Sequence, residues 1–129
     1  MPLTALDHVN IRTTGLDRMV RFYGDVLELE PGPRPSFSFN GAWLYCGSNA
    51  AIHLVESDRD PAQGPPRIEH FAFRAEGLAA FLERLQGLGI THHTSVVPDL
   101  GIRQVHLRDP DGNHIEVAFA AAEAAETAP

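Results

Sequence analysis

Polar and apolar residues alternate along residues 6–12, with Val9 and Ile11 on one side of an extended strand and Leu6, His8, Asn10 and Arg12 on the other. The period then lengthens. Leu16, Met19, Val20, Tyr23, Val26 and Leu27 recur at helical spacing, which predicts a helix over about residues 16–29 capped by Thr13 or Thr14. Prolines at 31, 33 and 35 stop any further helix. Residues 37–39, 42–46 and 51–55 read as three short strands separated by Asn-Gly and Gly-Ser-Asn turns.

The same plan then returns. Residues 68–74 form a predicted strand with Phe71 and Phe73 on one face and His70, Ala72 and Arg74 on the other. Leu78, Phe81, Leu82, Leu85 and Leu88 mark a helix that Gly87 and Gly89 end. Strands are expected near residues 92–97, 102–108 and 114–119, the last two joined by the turn Asp-Pro-Asp-Gly. The recurrence is also literal: at an offset of 62 residues His8 falls on His70, Arg12 on Arg74, Gly15 on Gly77 and Leu16 on Leu78, and at 63 Ile52-His53-Leu54 falls on Ile115-Glu116-Val117. The expected fold is therefore α+β, two tandem βαβββ modules forming a curved mixed sheet with helices on the outer face. Residues 1–57 are the first module, 58–67 a Pro-rich linker, 68–119 the second module and 120–129 a disordered Ala-rich tail, with 1–119 making one domain.

Composition narrows the function. The chain's 129 residues, 43% hydrophobic, suit one domain, because separate domains of about 60 residues would have marginal cores. A net charge of −7 without any basic run argues against nucleic acid or an anionic membrane as partner. The N-terminal residues carry no signal-peptide pattern, so a cytoplasmic protein is expected. Cys46 has no partner for an internal disulfide and reads as a small buried hydrophobe beside Trp43, Leu44 and Tyr45.

Alternation then places the chemistry. If the helices cover the face with Val9, Ile11, Phe71 and Phe73, the opposite face carries His8 and His70. His53, between Ile52 and Leu54, and Glu116, between Ile115 and Val117, point the same way. His8, His53, His70 and Glu116 thus form a candidate divalent-metal ligand set of imidazole and carboxylate donors. A carboxylate inside a buried strand is costly unless a metal or charge balances it, which makes Glu116 the most telling of the four. Pairing centred on Asp111 sets His106 opposite Glu116, where it could shuttle a proton or simply be an exposed strand histidine. His92, His93 and His114 are assigned to the surface. Arg12 and Arg103 could hold an anionic substrate group or be solvated strand-edge residues. Trp43, Phe37 and Phe39 are assigned to core packing in preference to a cavity wall.

Paired βαβββ modules, a histidine in the first strand of each, and the closing D-P-D-G-N-H-I-E-V resemble the glyoxalase/bleomycin-resistance/extradiol-dioxygenase superfamily, also called vicinal oxygen chelate proteins. The segment S-F-S-F-N-G-A-W-L-Y followed by A-I-H-L-V resembles its glyoxalase I-like branch. The resemblance implies that His8, His70 and Glu116 bind a metal, that small-molecule substrates bind through neighbouring oxygens, and that the protein is a homodimer with metal sites at the subunit interface. Glyoxalase I enzymes proper carry a glutamate where this chain has His53. Three functions follow: a metal-dependent lyase or isomerase of glyoxalase type with His53 or His106 as base, an iron(II) extradiol-type dioxygenase, and a non-enzymatic drug-sequestering protein. The cofactor expected for either enzyme is one divalent ion per chain, drawn from nickel, zinc, cobalt, manganese and iron(II).

Overall fold

The computed structural model describes residues 5–59 and 68–126, so most of the expected linker, residues 60–67, lies outside the described residues. In the first module, β1 (Val9–Thr13) leads into α1 (Leu16–Leu27), then β2 (Glu30–Gly32), β3 (Gly41–Cys46) and β4 (Asn49–Glu56). The second runs β5 (Phe71–Arg74), α2 (Leu78–Gly87), β6 (His92–Val96), β7 (Arg103–Arg108) and β8 (His114–Phe119), and α3 (Ala121–Glu126) follows. The strands pair as two four-stranded mixed sheets, in the orders β1-β4-β3-β2 and β5-β8-β7-β6. In each, the first strand lies parallel to the last and the other pairings are antiparallel. No helix among the described residues is long and apolar enough to cross a membrane.

The fold divides into two compact units, residues 1–64 and 65–129, and each buries its own apolar face. In the first, Val9↔Ile52↔Leu44 and Ile11↔Leu54↔Ala42 are cross-strand neighbours on one sheet face. Ile11, Leu44, Ile52 and Leu54 are buried there, as are Met19, Tyr23 and Val26 of α1. In the second, Val105, Leu107, Ile115, Val117 and Phe119 are buried with Leu78 and Leu85 of α2. Strand alternation therefore leaves the other face of each sheet for His53 and Glu116.

Several local expectations are corrected. Helix α1 stops at Leu27 rather than residue 29, because Glu28 turns left-handed (φ 59°) and lets its N–H and that of Leu29 bond back to Gly24 and Tyr23. That reversal buries Leu29 and starts β2. Gly15 takes the helix N-cap, and the Thr13 hydroxyl accepts the Gly15 N–H (3.0 Å) without capping the helix itself. Residues 37–39 form no strand. The edge position goes to β2, whose Pro31 needs no ladder N–H there. Cys46 is exposed, the last residue of β3 before the turn at Gly47. Within the expected tail, residues 121–126 form α3, anchored because the Glu123 carboxylate accepts the free N–H groups of Gly77 and Leu78 at the start of α2 (2.8 and 2.9 Å).

Candidate metal centre

The hairpin of β7 and β8 sets the second-module site. Asp109, 5% exposed, accepts the N–H groups of Asp111 and Asn113 and the Asn113 side-chain amide at 2.8–3.0 Å, and Gly112 (φ 86°) supplies the left-handed residue of the turn. This turn fixes His106 opposite Glu116, as the sequence register requires. Gln104 and Ala118, then Arg108 and His114, flank that pair on the same face.

Glu116 is 9% exposed, a carboxylate flanked by buried Ile115 and Val117. Gln104 donates its amide N–H to Oε2 (3.2 Å), His70 Nε2 stands 3.4 Å from Oε2, and His106 Nδ1 stands 3.5 Å from Oε1. His114, assigned to the surface from sequence, instead belongs to this cluster: its Nε2 lies 3.1 Å from His106 Nδ1. Its position two residues before Glu116 on one strand was the signal that placed it on the same face. His93 is exposed, as assigned from sequence, and stacks on His106 with ring centroids 4.5 Å apart, while the Ser95 hydroxyl bonds His106 Nε2 (2.8 Å).

Glu69 organises the rim. Its carboxylate bonds His70 Nδ1 and lies 3.3 Å from His114 Nδ1, so both imidazoles are held by one side chain at their δ nitrogens. That hydrogen bond raises the His70 pKa above its ordinary value and lowers that of Glu69. His106 is shifted the other way: burial disfavours its charged form, outweighing the nearby Glu116 carboxylate.

In the first module, Trp43, His53 and His8 form a continuous stack, with His53 at 4.0 Å from Trp43 and 3.8 Å from His8. His53 faces Asn10 on β1 and Trp43 on β3, and it is 9% exposed. Burial and the neighbouring His8 lower its pKa. Asp7 bonds His8 Nδ1 (2.7 Å), and Asn49 donates to the Asp7 carbonyl. The core assignment is overturned for Phe37 and Phe39, which are each 43% exposed and stacked on one another, with Phe37 tilted beside Trp43 and the Arg34 guanidinium over both phenyl rings.

The structure therefore brings His8 together with His53, and His70 together with Glu116 and His106. Arg103 is not part of this arrangement, being buried in β7 at a position that alternates away from His106 and Glu116. Arg12 is exposed on β1. A cleft of about 740 Å³, lined by Arg74, Glu76, Ile102, Phe119, Ala121 and Glu123 among others, does not include the histidine cluster.

The donor set fits a divalent transition ion. His70 and His106 each have one ring nitrogen anchored by a neighbour, Glu69 and Ser95 respectively, and the other turned on Glu116, which is how metal-binding imidazoles are ordinarily oriented. Nitrogen and carboxylate oxygen together suit ions of borderline softness.

Residues 5–117 match the family model of the Glyoxalase/Bleomycin resistance protein/Dioxygenase superfamily. A curated relative, Glyoxylase I 4 of Arabidopsis thaliana, is 34% identical over 123 residues, covering 89% of this chain and 70% of that protein. Among solved structures, a glyoxalase family protein from Bacillus anthracis superposes with a TM-score of 0.76 at 24% identity, over 92% of this chain and 96% of its own. A lactoylglutathione lyase from Agrobacterium tumefaciens gives 0.71 at 25% identity, over 95% and 98%.

Proposed function

Because the chain belongs to the Glyoxalase/Bleomycin resistance protein/Dioxygenase superfamily, we propose that it is a metal-dependent lyase or isomerase of glyoxalase type acting on a small carbonyl substrate. The observation that carries this reading is Glu116, a carboxylate on a buried strand with His70 Nε2 at 3.4 Å. A chain selected for stability alone would place an apolar residue there. The proposed ligand set carries both halves of the repeat forward: His70 and Glu116 from the second module, His8 from the first, and His53 as a fourth ligand or as the base. These residues would hold a nickel, zinc, cobalt, manganese or iron(II) ion, which would supply Lewis-acid polarisation of a substrate oxygen.

The protein's own part is proton handling. Burial keeps His53 and His106 below the ordinary imidazole pKa, so at neutral pH each is an unprotonated acceptor. Ser95 fixes the His106 ring through Nε2, and the Trp43 stack fixes that of His53, so neither base has to be ordered during turnover. The proposal also includes a homodimer, with a small molecule as the substrate. The names of the Arabidopsis and Agrobacterium relatives support the glyoxalase reading.

Two His and one Glu are equally the ligand set of mononuclear iron(II) oxygenases, so the metal decides between the two enzymes. Purified protein should contain a divalent ion, and reconstitution with nickel, cobalt or zinc should support isomerisation of 2-oxoaldehyde hemithioacetals or related carbonyl compounds. Turnover confined to iron(II), with dioxygen consumed on a catechol, would replace the isomerase by a dioxygenase. A chain that takes up no metal yet binds planar drugs would be a sequestering protein.

A further inference from the structure

The second module holds more donors than the proposed ligand set uses. His106 and His114 are not among those ligands, yet their side chains are only 11% and 14% exposed and stand against the 12% exposed side chain of Glu116. From these we infer that the second module contains a metal site of its own, built from His106 Nδ1, His114 Nε2 and the Glu116 carboxylate, and able to bind a divalent transition ion without His8 or His53.

The spacing of the donors carries this. With metal–donor bonds of about 2.1 Å, two ligand atoms at right angles stand roughly 3.0 Å apart, and two at the tetrahedral angle roughly 3.4 Å. His106 Nδ1 lies 3.1 Å from His114 Nε2 and 3.5 Å from Glu116 Oε1, so both separations approximate edges of such a polyhedron. All three donors lie within 4.8 Å of one another. His70 Nε2, 3.4 Å from the other Glu116 oxygen, stands where a fourth donor would come from.

The supporting contacts agree with the ligand assignment. Ser95 bonds the far nitrogen of His106, Glu69 faces the far nitrogen of His114, and Gln104 holds the Glu116 carboxylate. Each proposed ligand thus has an outer partner that orients it, which is how metal-binding imidazoles and carboxylates are ordinarily fixed. All of these residues lie on β6, β7 and β8 or immediately before β5, inside one compact unit. Completing the site requires nothing from the first module. Glu116 is common to this site and to the ligand set proposed above, so a chain is expected to hold about one ion at a time.

Cobalt(II) is a suitable probe, since its visible absorption reports nitrogen and oxygen coordination directly. The unaltered protein, His8→Ala/His53→Ala, and the latter combined with His114→Ala are titrated with cobalt chloride, with His92→Ala as a control. His92 bonds the Ile90 carbonyl and alternates away from the cluster. The double variant should still bind about one cobalt per chain, and adding His114→Ala should weaken that binding at least tenfold. Loss of cobalt already in the double variant, with unchanged far-ultraviolet circular dichroism, overturns the second-module site and leaves the shared ligand set standing. If that variant does not fold, His8→Gln/His53→Gln takes its place under the same criterion. Cobalt affinity unchanged by His114→Ala also overturns the site. Failure of the unaltered protein to bind cobalt would overturn both.

Discussion

Replacing Glu116 with Gln should remove the stabilisation that metal confers while leaving the metal-free chain folded. The two side chains are nearly isosteric, and the Gln104 amide, 3.2 Å from Oε2, would still find a carbonyl oxygen to donate to. Exchanging a charged acceptor for a neutral one gives up about 1 kcal/mol, and relief from burying a charge offsets much of that. The metal-free variant should therefore melt within a few degrees of the parent. Metal at a hundred times its dissociation constant stabilises the native state by about 2.7 kcal/mol. For a chain of this size each kcal/mol moves the midpoint by roughly 3–6 °C, so the unaltered protein should gain about 10 °C. A hundredfold loss of affinity brings the same metal concentration down to the dissociation constant, where only about 0.4 kcal/mol, or about 2 °C, remains. Differential scanning calorimetry with and without zinc or cobalt measures both quantities. A Glu116→Gln variant that keeps the full metal-dependent shift would show that Glu116 is not a ligand.

Metal affinity should fall as pH drops through the imidazole range, because protons compete for the ligand nitrogens. Glu69 raises the His70 pKa, so affinity is full above that raised value and is lost as pH falls through it. Glu69→Gln should move the loss to lower pH in cobalt titrations between about pH 8 and pH 5.5, and an unmoved profile would refute the role given to Glu69. Asp109→Ala removes an acceptor of two backbone N–H groups and one side-chain amide. It should destabilise the protein by about 2–4 kcal/mol in urea unfolding, and a loss under about 0.5 kcal/mol would mean that the turn holds without it. If the proposed homodimer shares ligands between subunits, then with His114→Ala in both chains to remove the second-module site, a heterodimer of His8→Ala and Glu116→Ala chains should recover about one metal per dimer, since one shared site then carries both lesions. Recovery of none would assign each site to a single chain.

The period-two pattern of β1, β4, β5 and β8 was enough to put His53 and Glu116 on the faces away from Met19, Tyr23 and Leu85, because a pleated strand leaves a side chain only two directions. The offset of 62 residues exposed the repeat, and the Asp-Pro-Asp-Gly turn fixed the opposition of His106 and Glu116, since turn chemistry sets hairpin register locally. What the sequence could not supply were contacts between residues distant along the chain and the fate of segments with competing local preferences. Phe37 and Phe39 alternate like a strand, yet the edge of β3 was taken by Glu30–Gly32, and only the folded chain shows which segment reaches that edge. Cys46 sits in an apolar run but ends exposed, because burial depends on which strand end the sheet covers. The tail residues form a helix whose Glu123 meets the N-terminus of α2, a contact with a partner 45 residues away that local spacing does not show. His114 joined the cluster for the same reason: its ring nitrogens find Glu69 and His106 through cross-strand packing, and the side-chain rotamers that decide this are set by neighbours that one-dimensional spacing does not contain.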